Sequence, residues 1–117
     1  MKSFFTTLGS LLKKFNEEQL VEAIPIFSRI VAELIEDIRK TNNYESAEVS
    51  FDLLLAISGS LARLSYTHNR ELPSDLMEVL KIEGYLYPGQ NGTYKESREP
   101  IYKAIKRGEI FASRWSE

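Results

Sequence analysis

Cysteine is absent from the 117 residues. Its absence removes disulfides, thiolate metal sites and thiol nucleophiles together, and fits a reducing compartment. Histidine occurs once, at His68, so no HExxH pair or other histidine-ligated metal cluster can be assembled, and no glycine-rich phosphate loop or GxSxG elbow takes its place. No stretch offers ~18 uncharged apolar residues in a row, which excludes a transmembrane helix as an expectation. The opening run MKSFFTTLGSLLKKF is interrupted by Thr6, Thr7, Gly9 and Ser10, is followed by Lys13 and Lys14, and leads into no small-residue cleavage site. It is not read as a secretory signal, and the expected location is cytoplasmic. Positive charge is not in excess either. A formal charge of −2 and a pI near 5.5 argue against whole-protein attraction to nucleic acid or to a membrane surface.

Hydrophobic residues make up 43% and charged residues 27%, ordinary globular values that exclude wholesale disorder. The length suits a single helical domain, 1–117, with its own core. Its centre is the stretch Val49 to Tyr66, VSFDLLLAISGSLARLSY. It is apolar on nearly every side, with a thin polar row at Glu48, Asp52, Gly59 and Arg63, and so reads as a helix to be covered by others. The expected fold is all-α, a compact bundle of about five helices around this central helix at 46–67.

The other helices follow from spacing. Phe4, Leu8, Leu11, Leu12 and Phe15 share one stripe at intervals of three and four, read as a core-packing helix; the Ser and Thr residues opposite are not those of a membrane-surface helix. Asn16 is an N-cap for a long helix ending near 41–43, in which Leu20, Ile24, Phe27, Val31, Leu34 and Ile38 form the packing seam. Glu22, Arg29, Glu33, Glu36 and Lys40 should face water. Pro25 lacks the N–H that bonds four residues back, so a kink or a break is expected there. Within the central helix, Ser58, Gly59 and Ser60 are small enough to let another helix approach closely. Pro73 opens a short helix that stops at Gly84, and Pro100 opens a last one that stops at Gly108, with Phe111 and Trp115 packing back on the bundle. Residues 85–98 hold Pro88-Gly89 and Asn91-Gly92 and form an irregular loop or a small hairpin. The loop is favoured, because a lone hairpin is marginal in water.

Catalytic hardware is thin. Glu33 with Asp37, and Glu48 with Asp52, lie one helical turn apart and could serve as acid and base, but such pairs are common on solvated helix faces. The expectation is no enzyme, no catalytic residue, no metal and no cofactor. Charge distribution carries more information. Between Glu17 and Asp52 nine carboxylates stand against Arg29, Arg39 and Lys40, a local balance of −6, while the rest of the chain is +4. Helix starts account for Glu17, Glu18, Glu45 and Glu48; they do not account for Glu33, Glu36, Asp37 or Asp52. In the C-terminal part Lys95, Arg98, Lys103, Lys106 and Arg107 are interleaved with Tyr85, Tyr87, Tyr94 and Tyr102, the mixture of cations and stacking faces that single-stranded nucleic acid uses.

In its size, helical layout and the acidic residues from Glu33 to Asp52, the chain resembles the small immunity proteins that bacteria make against toxins, including those of contact-dependent growth inhibition. The resemblance implies a non-catalytic inhibitor that covers the active site or substrate surface of a basic toxin, such as a nuclease, with carboxylates. Under it, Glu33, Glu36, Asp37, Glu45, Glu48 and Asp52 would supply the field and Tyr44 an aromatic anchor. Two other classes stand beside it: a small nucleic-acid-binding regulator using the Lys95–Arg107 segment, and a helical self-assembly module in which a homodimer completes the apolar seam.

Overall fold

Asn16 starts the first long helix by satisfying backbone groups that the first turn leaves open. Its Oδ1 accepts from the Gln19 N–H at 2.9 Å, and the Gln19 side chain returns the bond to the Asn16 N–H at 2.9 Å. This reciprocal box fixes the entry to α1, Glu17–Lys40. A computed structural model describes residues 9–112 and Trp115. Helix α1 runs unbroken through Pro25, so the break that proline suggested does not occur. Pro25 lies on the exposed side, where water can take the missing bond, while Phe27, Val31, Leu34 and Ile35 hold the opposite side in the core.

At Thr41 the chain turns, and Asn43 caps the next helix by accepting from the Ser46 N–H at 3.1 Å. Helix α2, Tyr44–Tyr66, therefore starts two residues earlier than its apolar pattern. A three-residue connection makes α1 and α2 antiparallel neighbours. Leu53, Leu54, Ile57, Leu61 and Leu64 of α2 are wholly buried. At about 1.5–3 kcal/mol each, these five side chains alone rival the usual net stability of a domain. Buried serines on this helix would be costly if left open. Ser58, Ser60 and Ser65 donate at 2.8 Å to the carbonyls of Leu54, Ala56 and Ala62 respectively, which removes that cost.

Helix α3, Ser74–Ile82, packs Leu76, Met77 and Leu80 inward. It ends at Gly84, whose φ of 92° lets the N–H groups of Gly84 and Tyr85 reach back to the carbonyls of Lys81 and Leu80 at 3.1 and 2.9 Å. The segment favoured as an irregular loop is instead an antiparallel hairpin of β1, Leu86–Pro88, and β2, Tyr94–Glu96. It is stable because it is not alone. Leu86 is buried, and the Tyr94 N–H donates to Ser65 Oγ at 3.1 Å, so α2 supplies the face that a lone hairpin lacks. The hairpin also corrects the reading of the small residues. A Cβ added to Gly59 would lie 2.6 Å from Glu96 Oε2, so the neighbour that needs the space is strand β2 and not a helix.

Helix α4, Glu99–Lys106, buries Ile101 and Ala104, and Ile110 and Trp115 close the core behind it. Phe111 stays 60% exposed, so only one of the two tail aromatics enters the interior. At the other end, residues 9–12 are helical, with Leu12 buried and Leu11 47% exposed; Leu11 therefore does not belong to the packing stripe. Phe4 and Leu8 lie outside the described residues. The fold is all-α with one two-stranded sheet. A carboxylate ties the start of α1 to the turn after α2: Glu17 accepts from Arg70 Nε at 2.6 Å and lies 3.3 Å from His68 Nδ1. The bond from Arg70 holds the Glu17 carboxyl below its ordinary value of 4.5.

The burial pattern sets a contrast: Leu54→Ala should cost about 2–5 kcal/mol in urea unfolding, whereas Leu11→Ala should stay within about 0.5 kcal/mol. Equal losses would contradict the placement of Leu11. Because the folded Glu17 carboxyl titrates below its unfolded value, the unfolded chain takes up that proton first, and the tie is lost as pH falls below 4.5. Amide exchange in the first turn of α1 should then rise over that range. In Glu17→Gln this particular rise should be missing.

Candidate functional site

The last turns of α1 and the first turns of α2 diverge from the Thr41–Asn43 connection and leave a groove of about 540 Å³ between them. Asp37, Lys40 and Thr41 come from one side, and Asn43, Glu45, Ser46, Val49 and Ser50 from the other. The spacing explains the assembly, since residues 45, 46, 49 and 50 fall on one face of a helix, as do 37, 40 and 41. Tyr44 stands beside it, 44% exposed, with its ring 4.7 Å from that of Phe111 at a 42° tilt. Tyr44 also lines an adjoining hollow of about 560 Å³ with Ile38, Arg39, Arg107 and Glu109.

Ion pairing decides which of these charges remain available. Lys40 Nζ lies 3.4 Å from Glu36 Oε1, and Arg39 lies 2.5 Å from Glu83 Oε2. Arg107 donates through two nitrogens to Glu109 at 2.9 and 3.0 Å. That fork raises the Arg107 pKa and holds the Glu109 carboxyl below its usual range. The cations around the groove thus each have a carboxylate of their own. Asp37 and Glu45 take part in no ion pair among the described residues.

The seven residues singled out from the sequence are therefore only partly brought together. Asp37 and Glu45 share the groove, and Tyr44 borders it. Glu36 is engaged with Lys40 on its own helix, and Glu33 is exposed one turn before Asp37. Glu48 is half-buried on α2 and has an interaction of its own. Asp52 is elsewhere. It lines a separate hollow of about 210 Å³ with Lys13, Gly59, Arg63, Glu96 and Arg98, where cations from three parts of the chain offset its charge. Two contributors were missed from the sequence. Ser50 could have been found from Ser46 and Ser50, which interrupt the apolar helix one turn apart on the side of Glu45. Phe111 as the ring against Tyr44 had no local signal, because 67 residues separate the two.

The C-terminal cations and tyrosines divide in the same way. Tyr85 is buried, and burial pushes its hydroxyl pKa up; Lys103 pairs with Glu99 at 3.0 Å. Tyr87 lies directly opposite Lys95 in the hairpin register, and both are exposed. They share the outer face, since cross-strand partners point to the same side. His68 is half-buried against Glu17 and far in sequence from the groove. Among the described residues no three His, Asp or Glu side chains gather as a metal site, and no helix is long and apolar enough to cross a membrane.

The fold and groove define an all-α domain with an acidic, aromatic-bordered corner. No protein-family model matches the chain, and neither a curated protein nor a solved structure does.

Proposed function

We propose that this protein is a non-catalytic protein-binding module of the cytoplasm, an immunity-type inhibitor that neutralises a basic bacterial toxin such as a nuclease. The observation that carries the reading is the state of the groove: Asp37 and Glu45 lack ion-pair partners while Lys40, Arg39 and Arg107 beside them are engaged. Carboxylates left in this way attract a cationic surface at long range and fix its register on contact. The tilted pair of Tyr44 and Phe111 supplies rigid, partly exposed aromatic area at the edge, the kind of residue that anchors an interface. Glu33 extends the field along α1.

A second reading has one specific observation in its favour, the Tyr87 and Lys95 pair on the outer face of the hairpin. Single-stranded RNA or DNA would stack on Tyr87 and lose affinity as salt rises. If Tyr87→Ala leaves oligonucleotide affinity unchanged, or no salt-dependent affinity is found, this reading is removed.

For the inhibitor reading, the partner to use is the purified product of the reading frame adjacent to this gene. Asp37→Lys combined with Glu45→Lys should slow association by about tenfold or more at low salt and flatten its dependence on ionic strength. Lack of any complex, or an association rate that the double variant does not change, would sink the proposal.

A further inference from the structure

The tip of the hairpin is formed by Asn91-Gly92, and both residues have positive φ. Asn91 lies at φ 58° and ψ 38°, and Gly92 at φ 76°. Across the pair the Thr93 N–H donates to the Gln90 carbonyl at 3.1 Å, so residues 90–93 form a type I′ turn. The related type II′ turn keeps positive φ at its first central residue and differs only in the peptide between the two. There ψ of the first residue is about −120° and φ of the second is negative. One flip of the 91–92 peptide interconverts the two turns.

Three features leave that flip unobstructed. Glycine adopts φ of either sign, and a Cβ built at Gly92 would meet nothing within 4 Å. Among the described residues, neither the Asn91 carbonyl nor the Gly92 N–H is hydrogen-bonded. The bonds that hold the tip, from Thr93 N–H to the Gln90 carbonyl and from Gly89 N–H to the Thr93 carbonyl at 2.8 Å, lie outside the flipping peptide and survive it. In the flipped turn, with ψ at about −120°, the Gly92 nitrogen is rotated to the side of Cα that carries the exposed Asn91 side chain. It then faces the side-chain amide carbon.

We propose that Asn91 is a self-modification site, at which the Gly92 nitrogen attacks Asn91 Cγ and displaces the side-chain amide. The N–Cγ bond forms and the Cγ–Nδ2 bond breaks. The Gly92 amide proton passes through water to the departing nitrogen, which leaves as ammonia, and a five-membered succinimide remains. Water then opens the ring at either carbonyl. Opening at Cγ gives an aspartyl residue, and opening at the main-chain carbonyl gives an isoaspartyl residue whose main chain is one carbon longer. No reactant besides water is needed. The aspartyl product keeps the turn, since aspartate tolerates the left-handed region. The isoaspartyl product does not fit it, and strands of three residues have little pairing to spare once the turn stops holding them together.

Asn69 supplies the contrast. Its φ is also positive, 53°, but the next residue is Arg70, whose N–H donates to the Leu64 carbonyl at 2.9 Å and whose side chain is held by Glu17. That peptide cannot flip without breaking a bond.

The test incubates the full folded chain in neutral buffer and maps its peptides by mass spectrometry, resolving asparagine, aspartate and isoaspartate at each position. Conversion at Asn91 should be at least about tenfold faster than at Asn69, with isoaspartate among the products at position 91. The comparison needs no variant. Asn91→Asp carries the new charge without the longer main chain, so its Tyr94 and Lys95 amides should exchange as in the unmodified chain, whereas those of the isolated isoaspartyl species should exchange several times faster. Conversion at Asn91 that is no faster than at Asn69, or that occurs only in urea, would overturn the proposal. An isoaspartyl species with unchanged exchange at Tyr94 and Lys95 would overturn its consequence for the hairpin.

Discussion

The constraint on which the structure depends is that α2 is apolar around almost its whole circumference and has to be covered on every side. Helix α1 covers it lengthwise, the hairpin covers the Gly59 to Ser65 side, and Ala56 meets the helical residues 9–12, where a Cβ on Gly9 would lie 3.7 Å from the Ala56 side chain. The hairpin is too short to persist alone. The hairpin strands have three residues each, below what an isolated pair needs in water. Burial on α2 supplies the stabilisation the hairpin lacks, whereas α3 rests on α1 and β1.

That dependence explains why polar groups on α2 are so closely managed. A helix in the centre of a small domain has no solvent to fall back on, and each hydroxyl must find a carbonyl or a strand N–H. Ser65 does both, donating to Ala62 and accepting from Tyr94, and thereby fixes the hairpin to the helix. Arg63 follows the same logic by donating to the Phe15 carbonyl at 3.2 Å.

Helix positions were largely legible in the sequence, because caps and periodicity are local. Asn16, Gly84 and Gly108 act as their chemistry dictates, and the seam of α1 is buried as spaced, with Ile24 and Ile38 only partly covered. The break expected at Pro25 does not occur because a proline rule counts the lost bond but not the side on which it is lost. The hairpin and the role of Gly59 were not legible, since both depend on which distant segment comes to rest on α2. Leu11 was misassigned because adjacent residues of one helical stretch point to different sides, and here Leu12 takes the buried one.

The acidic site shows the sharper limit. Counting charges between Glu17 and Asp52 treats every carboxylate as equal, and by that measure Asp52 and Glu36 weigh as much as Asp37. In the folded chain Glu17 is taken by Arg70, Glu36 by Lys40, and Asp52 sits among Lys13, Arg63 and Arg98. Paired surface charges contribute little to a field, because each is offset within a few ångströms and salt screens the remainder. What acts at a distance is the charge the fold leaves over. In the described residues that charge includes Asp37 and Glu45, in the groove between the end of α1 and the start of α2.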